Sequence, residues 1–472
     1  MSNRNRVGMW VLGAVVLAGG ACGDDAPATT ADCDPAVAST CGAGLVCEQL
    51  GESRHACLPP VLVSGRVIGA LDGAPVVGAT VVGLDANGAA RTRVARTAAN
   101  GTYALPVSVP RDAEGAPRSD AITLRVAAAD HQPFPSAPRT ALPIALEDAE
   151  LGADRTYQMA NAATEVALIP LAPAQRGGAT VTGTISGSAP GGVLVVGAVG
   201  DAARATAVSD LDGGFVLFNV PPGALRVEGY RAGLGLVPTT LEVPAAGLTG
   251  VTVAPATTPL ATVSGSLSIV NAPGGLTTSV ILAVASTFDA SAARGEAPAG
   301  LRATGIGGAF RIENVPAGRY AVLAAFENDQ LVRDPDQGIG GTDVVFVDVG
   351  TSGGTVSLAQ GFKVTEALAV TAPGGSGIDT VARGPIALSW RDDSSEDGYL
   401  LRVHDALGNL VHENAAVPAV TGASTVSYTL DGAALTPGML YQLRAYSFRE
   451  RQGGRTFISA TEDLRGVFQV AR

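Results

Sequence analysis

Ser209-Asp-Leu-Asp-Gly-Gly-Phe-Val-Leu-Phe-Asn-Val-Pro-Pro-Gly223 is the stretch on which the fold turns, and it returns as Thr304-Gly-Ile-Gly-Gly-Ala-Phe-Arg-Ile-Glu-Asn-Val-Pro-Ala-Gly318. In each copy a glycine-bearing turn leads into a short run. Its alternate residues, Phe215 and Leu217 or Phe310 and Ile312, share one face of a strand. Asn-Val-Pro-x-Gly then ends that strand, because proline fixes φ and lacks an N–H, and glycine makes the corner into a returning strand. A strand–turn–strand unit that recurs along a chain predicts repeated sandwiches rather than one large core.

Working outward, each copy opens on V-x-G-x-V: Val181-Thr-Gly-Thr-Ile185 before the first quoted stretch and Val263-Ser-Gly-Ser-Leu267 before the second. An apolar run follows each opening, Gly192–Val199 and Val280–Ala285. A third, looser copy begins at Val63-Ser-Gly-Arg-Val67 and continues to Arg96-Thr-Ala-Ala-Asn-Gly-Thr-Tyr-Ala-Leu105. The expected organisation is a signal segment (1–21), a tether with a disulfide-rich module (22–60), three sandwiches (61–173, 174–258, 259–362) and a C-terminal sandwich (363–472). Set in a row, such units reach on the order of 150 Å.

The repeats resemble the carboxypeptidase regulatory-like domain, a transthyretin-like sandwich. That resemblance implies a spacer, an adhesive module or a carbohydrate-binding module. The last hundred or so residues resemble a fibronectin type III domain, through Ile386-Ala-Leu-Ser-Trp390, the Leu435-Thr-Pro-Gly-Met-Leu-Tyr441 turn and the alternation Tyr441-Gln-Leu-Arg-Ala-Tyr446. The fold class expected is therefore all-β, as tandem transthyretin-like and Ig-like β-sandwiches. Related adhesin domains carry Lys–Asn cross-links, but Lys363 is the only lysine here and stands at a junction.

Composition agrees. Glycine (61) and proline (29) are abundant while aromatics are 4%, which suits short strands and tight corners. Lys+Arg total 31 against Asp+Glu 43, a net charge of -12, so a nucleic-acid partner is not expected.

The first residues read as an export signal, with Arg4 and Arg6 ahead of an apolar run from Val7 to Leu17. Leu17-Ala-Gly-Gly-Ala-Cys22 resembles the lipobox of bacterial lipoproteins, with Gly19 where that motif usually has leucine. The resemblance implies lipidation of Cys22 and a membrane as partner; cleavage after Ala21 and simple secretion is the alternative. Gly23, where the inner-membrane retention signal has Asp, points to the outer membrane. Of the five cysteines, Cys22 taken by lipid leaves Cys33, Cys41, Cys47 and Cys57, expected as two disulfides with the pairing open. Zinc is the competing reading, but no close C-x2-4-C pair is present.

Chemistry is sparse. Four scattered histidines (His55, His131, His404, His412) give little material for a mechanism. Gly350-Thr-Ser352-Gly-Gly354 spells a nucleophile elbow, but a strand rather than a helix should follow it. No cofactor is expected, with calcium as the possible exception. Asp210 and Asp212, Asp334 and Asp336, and Asp392-Asp393 with Glu396-Asp397 sit in expected loops, although aspartate in a turn usually bonds nearby amides. For sugar stacking the candidates are Tyr157, Tyr230 and Tyr320, and two or three exposed on one face would be needed. The reading is a non-enzymatic surface lipoprotein that acts as spacer, scaffold or adhesion module. Its partner is a surface protein or a polysaccharide, with carbohydrate binding as the alternative and a hydrolase a distant third.

Overall fold

The structure, a computed structural model, describes residues 32–35, 41–136, 138–270, 277–290, 293–324, 329–336, 342–452 and 454–472. The chain is all-β: four sandwiches follow a small disulfide-bonded hairpin. No helix among the described residues is long and apolar enough to cross a membrane. The export signal and Cys22 lie outside the described residues.

The three repeats share one joint. The glycine of each V-x-G-x-V strand lies directly across from an aromatic on the antiparallel neighbour: Gly65 from Tyr103, Gly183 from Phe215, Gly265 from Phe310. A Cβ at Gly183 would stand 2.5 Å from the Phe215 ring, and one at Gly265 would stand 2.7 Å from Phe310. The ring therefore lies over the bare backbone and closes the core; Phe215 is 2% exposed. Such burial contributes about 1.5–3 kcal/mol per side chain. In the looser first copy Tyr103 fills this place, and its hydroxyl donates to the Thr164 carbonyl at 2.7 Å.

Around that joint the second sandwich sets Ala179–Ile185 between Gly214–Val220 and Leu248–Val253, the latter parallel. Leu194–Val199 faces it with Ala202–Val208, Gly223–Tyr230 and Thr239–Val243. The third repeats this plan with Ala261–Val270 beside Ala309–Val315 and Gly354–Ser357, against a sheet of Thr278–Val284, Arg302–Ile306, Gly318–Ala324 and Val345–Val349. In both, the pairing register slips just before the Val-Pro corner, and the asparagine there takes positive φ, 60° at Asn219 and 59° at Asn314. Asparagine tolerates the left-handed region better than other side chains with a Cβ, so it makes the bulge that sequence reading gave to proline and glycine alone.

Phe362–Glu366 pairs with Ala261–Val270 and Leu331–Arg333. The change of sandwich therefore falls after Glu366, not between 362 and 363. In the last sandwich Pro385–Arg391 lies between Val370–Ala372 and Thr425–Asp431. Trp390 is fully buried, with Tyr399 edge-on at 5.5 Å.

The sandwiches do not stand in a row; each grips its neighbours, and the fourth returns to the first. Arg472 donates to the carbonyl of Ala70 at 3.1 Å, and Gln132 donates to the carbonyl of Ala406 at 2.9 Å. Ala70 and Ile169 are members of the fourth sandwich's core cluster. Tyr230 of the second sandwich enters the third's core, edge-on to Tyr320 at 5.9 Å. The Gln330 amide donates to Glu462 at 3.0 Å, joining third to fourth. The extended arrangement is thus replaced by a closed cluster, because these apolar faces are covered by other sandwiches rather than by water.

The hairpin of Val46–Leu50 and Arg54–Leu58 carries disulfides Cys33–Cys47 and Cys41–Cys57. Cys47 and Cys57 face one another across it, yet each bonds a cysteine outside it. Glu48 of this module and Arg111 of the first sandwich, both nearly fully buried, pair at 2.6 Å. Glu48 also accepts from the Val109 amide at 2.9 Å, and Arg111 lies over the Tyr157 ring.

Candidate functional site

Where the first three sandwiches meet, one ion pair organises a cavity. Arg125, on Ala121–Ala127, places two nitrogens on the Glu296 carboxylate at 2.9 and 3.0 Å. The Thr206 hydroxyl, on the second sandwich, accepts from Arg125 at 2.7 Å and donates to Glu296 at 3.1 Å. Glu296 is fixed locally, since its amide donates to the Thr287 hydroxyl at 2.9 Å. Burial pushes the Glu296 carboxyl up, but the Arg125 charge and hydrogen bonds outweigh it and hold it below the usual range.

Two lobes open beside this pair and share Gln132, Ser136, Thr287 and Glu296 in their walls. One lobe, of about 430 Å³, has Phe218 and Phe288 in its wall and Arg204 at its margin. The other, of about 380 Å³, is lined in part by Arg125 and Arg294. Asn219, the bulge residue of the repeat, reaches across to the first sandwich: its Oδ1 accepts from the Asp130 amide at 2.6 Å and its Nδ2 donates to the His131 carbonyl at 3.1 Å. Behind Ser136 lies Arg139, 3% exposed, its ring contact with Phe134 at 5.1 Å and its guanidinium pushed down to about 10 by burial.

Several polar atoms here are shielded from solvent and have no hydrogen-bond partner among the described residues: Arg125 Nε, Gln132 Oε1, Ser136 Oγ, Ser286 Oγ, and Arg139 Nε and Nη2. Buried polar groups are normally paired, so this concentration is unusual. Sequence reading did not find the site. Its residues come from three sandwiches and share no spacing; His131 had been noted singly, and Phe218 and Asn219 only as parts of the repeat.

The residues singled out from sequence are placed elsewhere or otherwise engaged. Asp210 accepts from the amides of Asp212 and Gly214 in its own turn and from Val94 of the first sandwich at 3.0 Å. Asp212 pairs with Arg93. The turn thus joins the first two sandwiches through Asp210 with Val94 and Asp212 with Arg93.

The other two acidic loops converge on a cleft of about 800 Å³ between the third and fourth sandwiches, which Asp334, Asp336, Asp392 and Asp393 line. There Asp392 accepts from Tyr399 at 2.8 Å and Asp393 from Ser447 at 2.5 Å. Among the described residues no three carboxylates approach within 4.8 Å of one another; the one group of metal-capable atoms that close is Cys33, Cys41 and Cys57, which are held in disulfides.

Ser352 is exposed and leads into the strand Gly354–Ser357, so it lacks the elbow a nucleophile needs. His412 bonds Tyr428 at 2.9 Å, and His404 is pushed down by burial and by Arg444 and Arg402. Tyr230 and Tyr320 are buried at the sandwich interface and Tyr157 lies under Arg111, so the three tyrosines form no exposed sugar platform.

No protein family and no curated protein sequence matches the chain. Among solved structures, a streptococcal ancillary pilin aligns over 65% of this chain and 98% of its own at 11% identity and a TM-score of 0.18. A DUF3823 family protein from Bacteroides ovatus aligns over 44% and 98% at 9% identity and a TM-score of 0.19. The major pilin subunit BcpA of Bacillus cereus aligns over 63% and 99% at 10% identity and a TM-score of 0.17. At scores this low the likeness carries no argument about assembly or ligand.

Proposed function

We propose that this chain is a non-enzymatic scaffold of the cell surface, exported and held to the outer membrane through a lipid on Cys22. The observation that carries the scaffold reading is the mutual locking of the four sandwiches. Arg125 pairs with Glu296 across two sandwiches, Asp210 accepts from the Val94 amide, and Gln132 and Arg472 donate to the carbonyls of Ala406 and Ala70. Such a body supports presentation of a fixed surface to another surface protein or a polysaccharide.

Palmitate labelling and membrane fractionation of the wild type and of Cys22→Ser test the tether. The wild type is expected in the outer-membrane fraction and labelled, and the variant soluble and unlabelled. A variant that stays in the membrane, or a mature N-terminus without lipid, overturns it. Pull-down from the producing cell's envelope tests the scaffold reading, with saturable capture of a surface protein or polysaccharide expected. Turnover of an envelope polymer by the purified chain would overturn it.

A further inference from the structure

We propose that His404 makes the joint between the third and fourth sandwiches acid-sensitive, weakening it when the ring takes up a proton. The inference goes beyond the scaffold role and depends neither on the lipid anchor nor on a ligand.

His404 lies on Gly398–Asp405 of the fourth sandwich's larger sheet. Tyr399, Leu401 and Val403 point into that sandwich's core, so the pleat puts Arg402 and His404 on the opposite face. Gln442 stands directly across from His404, and one same-face step along, Arg444 stands directly across from Arg402. Like charges placed so repel, and each arginine here has its own carboxylate. Arg444 donates to Asp463 at 2.7 Å, and Arg402 donates to Glu413 at 2.8 Å. The third sandwich reaches this face as well, since the field of its Arg294 acts on Asp463. Two cations and their carboxylates therefore share a face that holds the joint, and His404 sits among them.

The ring has no comparable partner for a charge. It is half-buried, and its Nδ1 is shielded from solvent with no hydrogen-bond partner among the described residues. Its neighbour on the other adjoining strand is Leu410, which is apolar. Asp405 is next along the chain, but its carboxylate accepts from the Leu407 and Asn409 amides and the Asn409 side chain in its own turn. The other carboxylate whose field reaches the ring is Asp289, on the third sandwich.

An imidazolium donates from both nitrogens. Protonation therefore sets an N–H at Nδ1 with no acceptor and adds a third cation beside Arg402 and Arg444. Burial first, then Arg444 and Arg402, hold the ring below its ordinary value, against Asp289 and Asp405. Once the joint opens or the chain unfolds, water reaches the ring and the ordinary value of about 6.5 returns. A lowered folded value means that the contribution of the neutral ring is complete above that figure and is lost as pH falls below it. This window lies above the carboxylate range, which separates it from the response of Glu296.

Two measurements on the full chain in detergent test the proposal. The chain has four histidines, so His404 can be assigned in histidine-labelled NMR spectra by the signal missing from His404→Gln. Its midpoint is expected below about 6.5, and lower still in Asp289→Asn. Melting is followed by the fluorescence of Trp390, fully buried in the fourth sandwich, in a Trp10→Phe background that removes the only other tryptophan. Between about pH 7.5 and 5.5 the wild-type melting temperature should fall by roughly 2–4 °C more than that of His404→Gln. Parallel melting curves for the two, or a His404 midpoint at or above the ordinary value, overturn the proposal. A midpoint that Asp289→Asn leaves unmoved overturns the placement of the ring at the joint.

Discussion

Arg125 and Glu296, 171 residues apart in sequence, meet in a two-pronged ion pair of 2.9 and 3.0 Å that joins the first sandwich to the third. Arg125 is buried while Glu296 keeps 26% of its side chain exposed, so the pair is shielded from one side. Removing one member leaves the other charge without its counterpart.

Glu296→Ala is accordingly expected to lower stability by about 3 kcal/mol, read as a fall in melting temperature, and Thr206→Val by about 1 kcal/mol. The Glu296 carboxyl lies below its ordinary value in the folded chain. Its contribution is therefore complete above the ordinary carboxylate range and is lost as pH falls through the folded value. Melting curves of wild type and Glu296→Gln should differ at pH 7 and converge on acidification; a gap that is constant with pH contradicts this.

Glu48 behaves in the opposite sense. Burial pushes its carboxyl up, and Arg111 recovers part of that cost. A raised value means a contribution that is full below the unfolded carboxylate value and lost as pH rises through the folded one. Glu48→Gln keeps an acceptor for the Val109 amide but, like Glu48→Ala, leaves Arg111 buried without its counter-charge; each should cost about 3 kcal/mol, and Glu48→Ala, which also strands that amide, about 1 kcal/mol more. Equal melting temperatures for the two variants would refute this ordering.

The hairpin module depends on its two disulfides, whose partners are separated by 14 and 16 residues. Closing a loop of that size contributes about 3 kcal/mol. Reduction should expose the hairpin to limited proteolysis between Asp32 and Leu58 while the bands of the sandwich body persist. Simultaneous loss of the whole body would show that the module is a folding prerequisite.

At the clasp between first and second sandwiches, Asp210→Ala strands three amides and should cost about 2 kcal/mol. Asp212→Ala, which removes an exposed pair with Arg93, should cost under about 1 kcal/mol. Millimolar Ca²⁺ should leave the melting temperature of the wild type unchanged; a clear rise would make the turn a cation site.

Small-angle scattering separates the closed cluster from a row. A compact body of this length has a radius of gyration of about 22 Å, while a rod of about 150 Å has one near ~43 Å. A value near the larger figure would contradict the contact of Arg472 with Ala70.

Much of the fold was legible in the sequence because periodicity reports which face of a strand is buried. Phe215 and Leu217 alternate inward as their spacing requires, and Trp390 is core. The glycine-to-aromatic joint was half legible: both motifs stood out, but only the register shows that Gly183 lies across from Phe215. What stayed hidden depends on pairings between distant segments. Tyr230 reads as a strand residue of its own sandwich, yet its ring is packed with Tyr320 in the next. Arg125 and Glu296 sit in unremarkable stretches, and nothing near either one in sequence announces the other. Asp210 was singled out as a weak calcium candidate against an ordinary turn carboxylate; two of its donors lie in its own turn and the third comes from another sandwich.

The meeting of the first and last sandwiches has a consequence for biosynthesis. Ala70 and Ile169 belong to a core whose other fully buried members begin at Leu368. A chain made from its N-terminus completes the first sandwich long before that cover exists. During the interval an apolar face stands bare, and nascent copies held close together could adhere through it. Arrival of Val467–Val470 and the guanidinium of Arg472 ends that exposure. Stop codons placed before Val467 should therefore yield aggregates in which the first sandwich is itself folded, while the same sandwich with Ala70 and Ile169 changed to polar residues should stay dispersed.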